Sequence, residues 1–267
     1  MTISFDNAPL VELIVELRWG PASVFPPQLQ AGVALQGFFS AGDPNRLEEF
    51  YMRFGGECYA KGLQRTERLT PAGFPQLPGQ AAVRYKSGEP KANKLLQVGP
   101  GVFTANAIPP YEGWELFLPY LNSGFESLIA ARDDSEKREN FHTITVRYIN
   151  AFGKYYLEKF TQVEMLKELG FKIQLPEAIQ GQLVEDAQSV SVLNVSSKTQ
   201  DGGRVTLTAG SGQTGNDKAV LFDLAMSYEG VAIDQVIQKV TDAHNMLEEI
   251  FVKSTKPLHG LMGVREY

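Results

Sequence analysis

Gly210-Ser211-Gly212-Gln213-Thr214-Gly215 spells G-x-G-x-x-G, the pattern with which a backbone cradles a pyrophosphate. That chemistry needs the glycines to open directly into a helix, whose N-terminus receives the negative charge. Here Asn216-Asp217-Lys218 leads instead into another alternating apolar run, and Gln200-Asp201-Gly202-Gly203 lies one strand earlier. Both segments are therefore expected to be loops of a β-meander.

The other reactive residue types are sparse. Three histidines, His142, His244 and His259, form no His-x-His or His-x-x-x-His pair, so a metal site would need ligands gathered from distant segments. His244 falls on an apolar helical stripe, which makes it a core or interface residue rather than a ligand or base. Cys58 is the single cysteine, so no intrachain disulfide or multi-cysteine zinc site can form. A thiolate nucleophile would need a neighbouring base, and none is visible, so Cys58 reads as a plain buried thiol. There is no Gly-x-Ser-x-Gly elbow. The carboxylate pairs Asp133-Asp134 and Glu185-Asp186 lie in charged or turn-like surroundings and are expected to face solvent. No catalytic residue, metal or cofactor is assigned.

A modest basic patch comprises Arg84, Lys86, Lys91 and Lys94, flanking one turn, with Lys61, Arg65 and Arg68 upstream. The chain nonetheless has 25 Lys+Arg against 31 Asp+Glu, a net charge of −6, whereas phosphate backbones select basic faces. A solvated loop is the better account, and nucleic acid is the less favoured partner.

The elements that position these residues follow from periodicity. Leu10–Trp19 alternates, with Val11, Leu13, Val15, Leu17 and Trp19 on one face, as a half-buried strand does. Residues 44–54 suit a short helix with Leu47, Phe50, Tyr51 and Phe54 inward. Thr70–Gly79, with three prolines and two glycines, is a loop. Strands are expected over Ala81–Lys86 and Leu95–Asn106, the latter bulged or bent at Gly99-Pro100-Gly101. Trp114, Phe117, Leu118, Leu121, Phe125, Leu128 and Ile129 form one helical stripe, which Pro119 should kink or open. The charge cluster Arg132–Asn140 reads as solvated and as the best linker.

The second half repeats this order. A strand is expected over His142–Asn150, a helix over Tyr155–Leu169 ended by Gly170, and strands over Ser189–Val195, Arg204–Thr208 and Val220–Tyr228. A closing helix carries Ile233, Val236, Ile237, Val240, His244, Leu247, Ile250 and Phe251. A shift of 119 residues lays the first long stripe on this one, so an internal duplication is one reading and shared periodicity the other.

Runs of strands followed by long helices indicate an α+β fold, an antiparallel sheet or sheets with the helices on one face. Two similar halves, residues 1–135 and 136–267, are expected, or one continuous domain. The other sheet face should carry Glu12, Glu16, Arg18, Thr143, Thr145, Arg147, Arg204, Thr206 and Asp223, either wet or used for binding. With 43% hydrophobic and 21% charged residues the chain can bury a core. No apolar run approaches the ~20 residues of a membrane span, and no basic-then-apolar leader opens the chain. A cytoplasmic protein without membrane attachment is expected.

Four segments together resemble a sporadically distributed bacterial family about this long. They are Asn7-Ala8-Pro9-Leu10-Val11-Glu12; Leu96-Gln97-Val98-Gly99-Pro100-Gly101-Val102 with Asn106; Tyr111-x-Gly113-Trp114; and Arg147-Tyr148-Ile149-Asn150. The ending Leu258-x-x-x-Met262-Gly263 is also similar. The resemblance brings no activity or catalytic residue with it, and it implies genes that travel with mobile or defence loci. Within these anchors Arg147 and Asn150, on opposite faces of a strand, are the polar residues to test first. Asn150 has a buried structural hydrogen bond as its simpler role.

Two functions follow as expectations. One is a non-enzymatic component that binds another protein or itself, as a homodimer for example, through the polar sheet face or a helix pair. The other is a nucleotide-binding or nucleic-acid-processing enzyme using Arg147, Lys86 and scattered carboxylates.

Overall fold

The computed structural model describes residues 3–20, 44–71, 74, 76–134, 136–137, 139–172, 177–180 and 190–266. In chain order these form β1 (Ile3–Phe5), β2 (Leu10–Arg18), α1 (Pro44–Ala60), β3 (Arg65–Arg68), β4 (Val83–Lys86), β5 (Lys94–Gly99), β6 (Val102–Ala107) and α2 (Trp114–Ala131). There follow β7 (Phe141–Phe152), α3 (Lys154–Leu157), α4 (Gln162–Glu168), α5 (Glu177–Gln180), β8 (Leu193–Lys198), β9 (Arg204–Thr214) and β10 (Asp217–Val231). The chain closes with α6 (Val236–Thr255), α7 (His259–Met262) and β11 (Val264–Glu266). Helices and antiparallel strands make the expected α+β fold. Nine strands run in the order β3-β4-β5-β6-β2-β7-β10-β9-β8, and β1 pairs with β11 separately.

The order of elements is similar in the two halves of the chain. Each runs strand, helical segment, meander, long helix, the meander having four strands in the first (β3 to β6) and three in the second (β8 to β10), and the opening strand of each lies next to the last strand of its meander: β2 beside β6, β7 beside β10. The shift of 119 carries the start of α2 at Trp114 to Ile233, where a single 3₁₀ turn opens the approach to α6. A glycine recurs in the next-to-last strand of both meanders, β5 and β9. A Cβ on Gly99 of β5 would lie 1.8 Å from the Gln80 carbonyl oxygen, and one on Gly210 of β9 would lie 2.4 Å from that of Ser191. In each case the backbone leading into the preceding strand, β4 or β8, crosses the glycine in contact, and only a hydrogen fits between.

Packing divides the chain into two compact units: Met1–Glu12 with Arg147–Met226 and Asp242–Tyr267, and Leu13–Val146 with Ser227–Thr241. In the second of these, α1 and α2 pack on each other and on the meander. Phe54 meets the rings of Tyr85 and Phe103 at 5.2 and 6.1 Å, and Gly124 of α2 lies against Leu96 where a Cβ would be at 2.8 Å. In the first, Phe152 stacks edge-on against Tyr156, Phe171 against Phe222, and Phe5 against Phe251.

Several local expectations are corrected. Leu95–Asn106 is a tight hairpin of two strands, with Gly99 opposite Val102 and Gly101 at φ +68°, not one bent strand. Helix α1 continues through Gly55-Gly56 to Ala60. Gly55 seats against the Tyr85 ring and Cys58 is fully buried, and such packing outweighs the ~1 kcal/mol that each helical glycine costs. The helix expected over Tyr155–Leu169 is two short ones. Thr161 caps α4, accepting from the Glu164 N–H at 3.2 Å while Glu164 accepts from the Thr161 N–H at 2.7 Å. Gly170, at φ +90°, follows that helix as expected. Pro119 sits within α2, which begins five residues earlier. It faces solvent, where the freed carbonyl one turn back can be hydrated. Val11, assigned to the buried face of its strand, is 37% exposed.

The glycine-rich pattern behaves as a hairpin. Gly210–Thr214 belongs to β9, and the chain turns at Gly215-Asn216, with Gly215 at φ +61°, straight into β10. Glu185 and Asp186 lie outside the described residues.

Candidate functional site

The strand register in the unit built on Leu13–Val146 lines up polar side chains across neighbouring strands. Glu67 of β3 pairs with Arg84 of β4, Arg84 with Gln97 of β5, Gln97 with Thr104 of β6, and Thr104 with Glu16 of β2. Cross-strand partners share a face, so these five residues form one row. The next row along is Arg65, Lys86, Leu95, Asn106 and Ile14. The alternate positions, Val83, Val98, Phe103 and Leu17, point into the core.

Side chains in the row bond one another. Arg84 donates to Glu67 at 3.2 Å and to Gln97 at 3.3 Å. The Gln97 amide donates to Thr104 Oγ1 at 3.1 Å and to Asn106 Oδ1 at 3.3 Å, and the Thr104 hydroxyl donates to Asn106 Oδ1 at 2.7 Å. Arg18 grips Glu16 on its own strand through Nε at 2.6 Å and a second nitrogen at 3.2 Å. Thr145 of β7 and Ser227 of β10 lie 3.1 Å apart. Thr104 and Asn106 are buried, which only fully paired polar groups tolerate cheaply.

The sequence-selected polar residues divide accordingly. Glu16 belongs to this row, and Arg18, two residues on along the same strand, lies on the same face opposite Val102. Arg147, exposed on β7, makes a two-pronged pair with Asp223 of β10 in the other unit, with bonds at 2.9 and 3.0 Å and a shorter one besides. Arg204 reaches Ser196 at 3.5 Å beside the Ser196–Thr206 hydroxyl pair, and Glu12 is half-buried on β2. Asn150 is buried and donates to the Phe222 carbonyl at 3.1 Å. The basic patch is not assembled as one surface. Arg84 and Lys86 share Glu67, with Lys86 Nζ at 3.8 Å. Lys94 lies on the helix side, 3.3 Å from Glu112 and donating to the Leu116 carbonyl at 3.3 Å, while Lys91 is exposed in the connecting turn. Gln97, Thr104 and Asn106 form the hydrogen-bonded centre of this face, and none of the three is among the site candidates drawn from the sequence. Their signal was the i, i+2 alternation on either side of Gly99-Pro100-Gly101.

His244 on α6 is buried, with Nδ1 2.7 Å from the Tyr148 hydroxyl and Nε2 3.9 Å from Glu248. Desolvation pulls its pKa down to about 4, so the ring is neutral at pH 7. Cys58 is equally inert: burial pushes its thiol up to about 12. Among the described residues no group of three His, Cys, Asp or Glu is placed to hold a metal ion, and no helix is long and apolar enough to cross a membrane.

Arg132 overturns the reading of a solvated linker. Its side chain is fully buried, its guanidinium lies 5.3 Å from the Trp19 ring and 5.1 Å from the Phe141 ring, and among the described residues none of its three nitrogens has a hydrogen-bond partner. The nearest carboxylate, Glu136, is 3.9 Å away and accepts from Trp19 Nε1 at 3.2 Å. Leu121, Phe125, Leu128 and Arg132 are spaced 4, 3 and 4, so the buried stripe simply runs one turn further than the last apolar residue. The next residue, Asp133, is gripped by Arg46 and by Arg53 at 2.6 Å, and Arg46 first, then Arg53, holds its carboxyl below the usual range. Trp19, Phe50, Arg46, Arg53, Asp133 and Glu136 line a cavity of about 100 Å³.

No family model matches the chain, and neither the curated proteins nor the solved structures contain a match to it.

Proposed function

We propose that this chain is a non-enzymatic protein-interaction or assembly component, and that the polar rows of its sheet are a contact surface. The observation that carries this reading is the register row Glu67-Arg84-Gln97-Thr104-Glu16. Glu67, Arg84, Gln97 and Thr104 are already held by mutual hydrogen bonds, with Thr104 buried behind them, so a partner that meets the accessible Glu67, Arg84 and Gln97 orders them at little entropic cost. Charges on this face are balanced locally, which favours specificity by polar complementarity over attraction of a polyanion. The family resemblance adds a place for such a component, in a mobile or defence-linked locus.

Co-expression with the products of flanking genes tests it. A tagged wild-type chain is expected to retain one of them, and the double variant Glu67→Ala/Arg84→Ala, at an accessible pair, is expected to weaken that complex about tenfold or more while melting normally. A chain that stays monomeric and retains none of those products refutes the reading.

A second reading, binding of a phosphate or nucleotide, draws on Arg132 and the nearby cavity, which is lined by the guanidinium groups of Arg46 and Arg53 and the carboxylates of Asp133 and Glu136. A guanidinium cannot shed its proton, although burial pushes its pKa down. Left without an anion, it costs more than its two ring contacts return. Arg132→Met is therefore expected to raise unfolding stability by about 1 kcal/mol or more in denaturant titrations. Inorganic phosphate that raises the wild-type melting temperature and not that of the variant would favour the second reading. An Arg132→Met variant less stable than wild type in phosphate-free buffer contradicts the electrostatic account.

A further inference from the structure

The two ends of the nine-stranded order are built differently. The edge β3 is Arg65-Thr66-Glu67-Arg68, three charges in four residues, the usual defence of an exposed edge against pairing with another chain. The edge β8 has no such defence. Val190-Ser191-Val192-Leu193-Asn194-Val195-Ser196-Ser197 carries no charge and no proline, and Lys198 ends the strand. Asn194 to Lys198 are all exposed, Val192 is 63% exposed and Val195 53% exposed. Among the described residues no strand lies on the outer side of β8.

The register shows which backbone groups that edge offers. Residues of β8 and β9 pair with numbers summing as Leu193 with Ala209 and Lys198 with Arg204, and the Thr199 N–H donates to the Gly203 carbonyl at 2.9 Å on the same register. Hydrogen-bonded and non-bonded pairs alternate, so Ser197, Val195 and Leu193 spend their backbone groups on β9. Asn194, Ser196 and Lys198 therefore turn their N–H and C=O groups outward, three donors and three acceptors in a row.

We propose that β8 is a homodimerisation edge, on which the β8 of a second copy pairs antiparallel about a twofold axis at Ser196. This rests on the assembly reading above and names its partner and place. The argument for a second copy is the strand's self-complementarity. With Ser196 on the axis, Ser196 faces Ser196 of the partner subunit, and Asn194 faces Lys198 of the partner subunit. All six outward groups of each strand are then paired, Val195 lies opposite a serine, and no like charges oppose. A single six-residue strand pair makes a small contact, so the dimer is a weak one, populated at high protein concentration.

Light scattering of the full chain over a wide concentration range, with edge and face variants compared, tests this. Wild type is expected to shift from monomer to dimer as concentration rises. Ser196→Pro removes the outward N–H on the axis without touching the bonds to β9, a position where an edge strand accepts proline. It is expected to weaken dimerisation about tenfold or more, as is Val195→Lys, both with unchanged circular dichroism and melting. The face variant Arg84→Ala is expected to dimerise like wild type. Ser196→Cys should form a disulfide-linked dimer under mild oxidation, because Cα atoms of a hydrogen-bonded antiparallel pair lie about 5.5 Å apart. The buried Cys58 leaves that background silent. A dimer that survives both edge variants and fails in Arg84→Ala overturns the edge proposal and keeps the assembly reading. A wild type monomeric at every concentration overturns the second copy as occupant; the flanking-gene experiment then decides the assembly reading on its own.

Discussion

Gly99→Ala is expected to lose about 3 kcal/mol of stability, the largest effect of any single methyl added to this chain. The new carbon would stand 1.8 Å from the Gln80 carbonyl oxygen and 2.8 Å from its carbon. Both are backbone atoms, and the Ala82 N–H just beyond them is tied to Val98 at 2.8 Å, so neither side can yield by a rotamer change. The β4–β5 pairing must open or the hairpin must shift. Gly210→Ala is expected to behave alike in the other half, with contacts of 2.4 Å to the Ser191 oxygen and 2.9 Å to the Val192 Cα. Gly56→Ala provides the opposite sign. It lies inside α1 with nothing within 4 Å of the added carbon, and is expected to stabilise by about 0.5–1 kcal/mol by limiting the unfolded chain. Denaturant unfolding of the three variants checks the set. A Gly99→Ala protein as stable as wild type would contradict the close crossing that both halves share.

Acid is expected to weaken the fold through His244, by up to about 3 kcal/mol, since each pKa unit of difference between folded and unfolded states is ~1.4 kcal/mol. In the unfolded chain the imidazole takes up its proton near pH 6.5, whereas burial delays this to about 4 in the folded protein. Between those values the unfolded state holds more protons, so stability falls as pH drops from 6.5 towards 4 and is fully present above 6.5. Groups facing the ring include the Tyr148 hydroxyl at 2.7 Å and the half-exposed Glu248 carboxylate at 3.9 Å, the latter too distant and too wet to hold the imidazolium against desolvation. His244→Gln removes the titration. Its unfolding free energy is expected to change less than that of wild type across this window, measured by urea titration at a series of pH values. Parallel curves for the two proteins would show that His244 is not the group responsible.

Much of the architecture was legible in the residues because it is written in local periodicity. Alternation marked Leu13, Val15 and Leu17 on β2 and Phe222, Leu224 and Met226 on β10, and all six are fully buried. The spacing from Trp114 to Leu128 marked α2, and the missing helix after Gly215 already pointed to a hairpin. Thr161 and Glu164 held a capping box, a signal readable in retrospect.

What tertiary structure alone decided concerns the polar residues, because a hydrophilic side chain reveals its fate only through its neighbours. Arg132 reads as one more charge in a polar stretch, yet the wrap of Trp19 and Phe141 buries it. Arg147 and Lys86 read as free cations, and the folded chain brings Asp223 and Glu67 to them. Gln97, Thr104 and Asn106 become one hydrogen-bonded cluster only when register aligns two strands, and the position of β8 at an edge among the described strands appears only once the strand order is known. Periodicity records which way a side chain faces; pairing across the sheet records what it meets there. The first is a property of a dozen consecutive residues, the second of segments far apart in the chain.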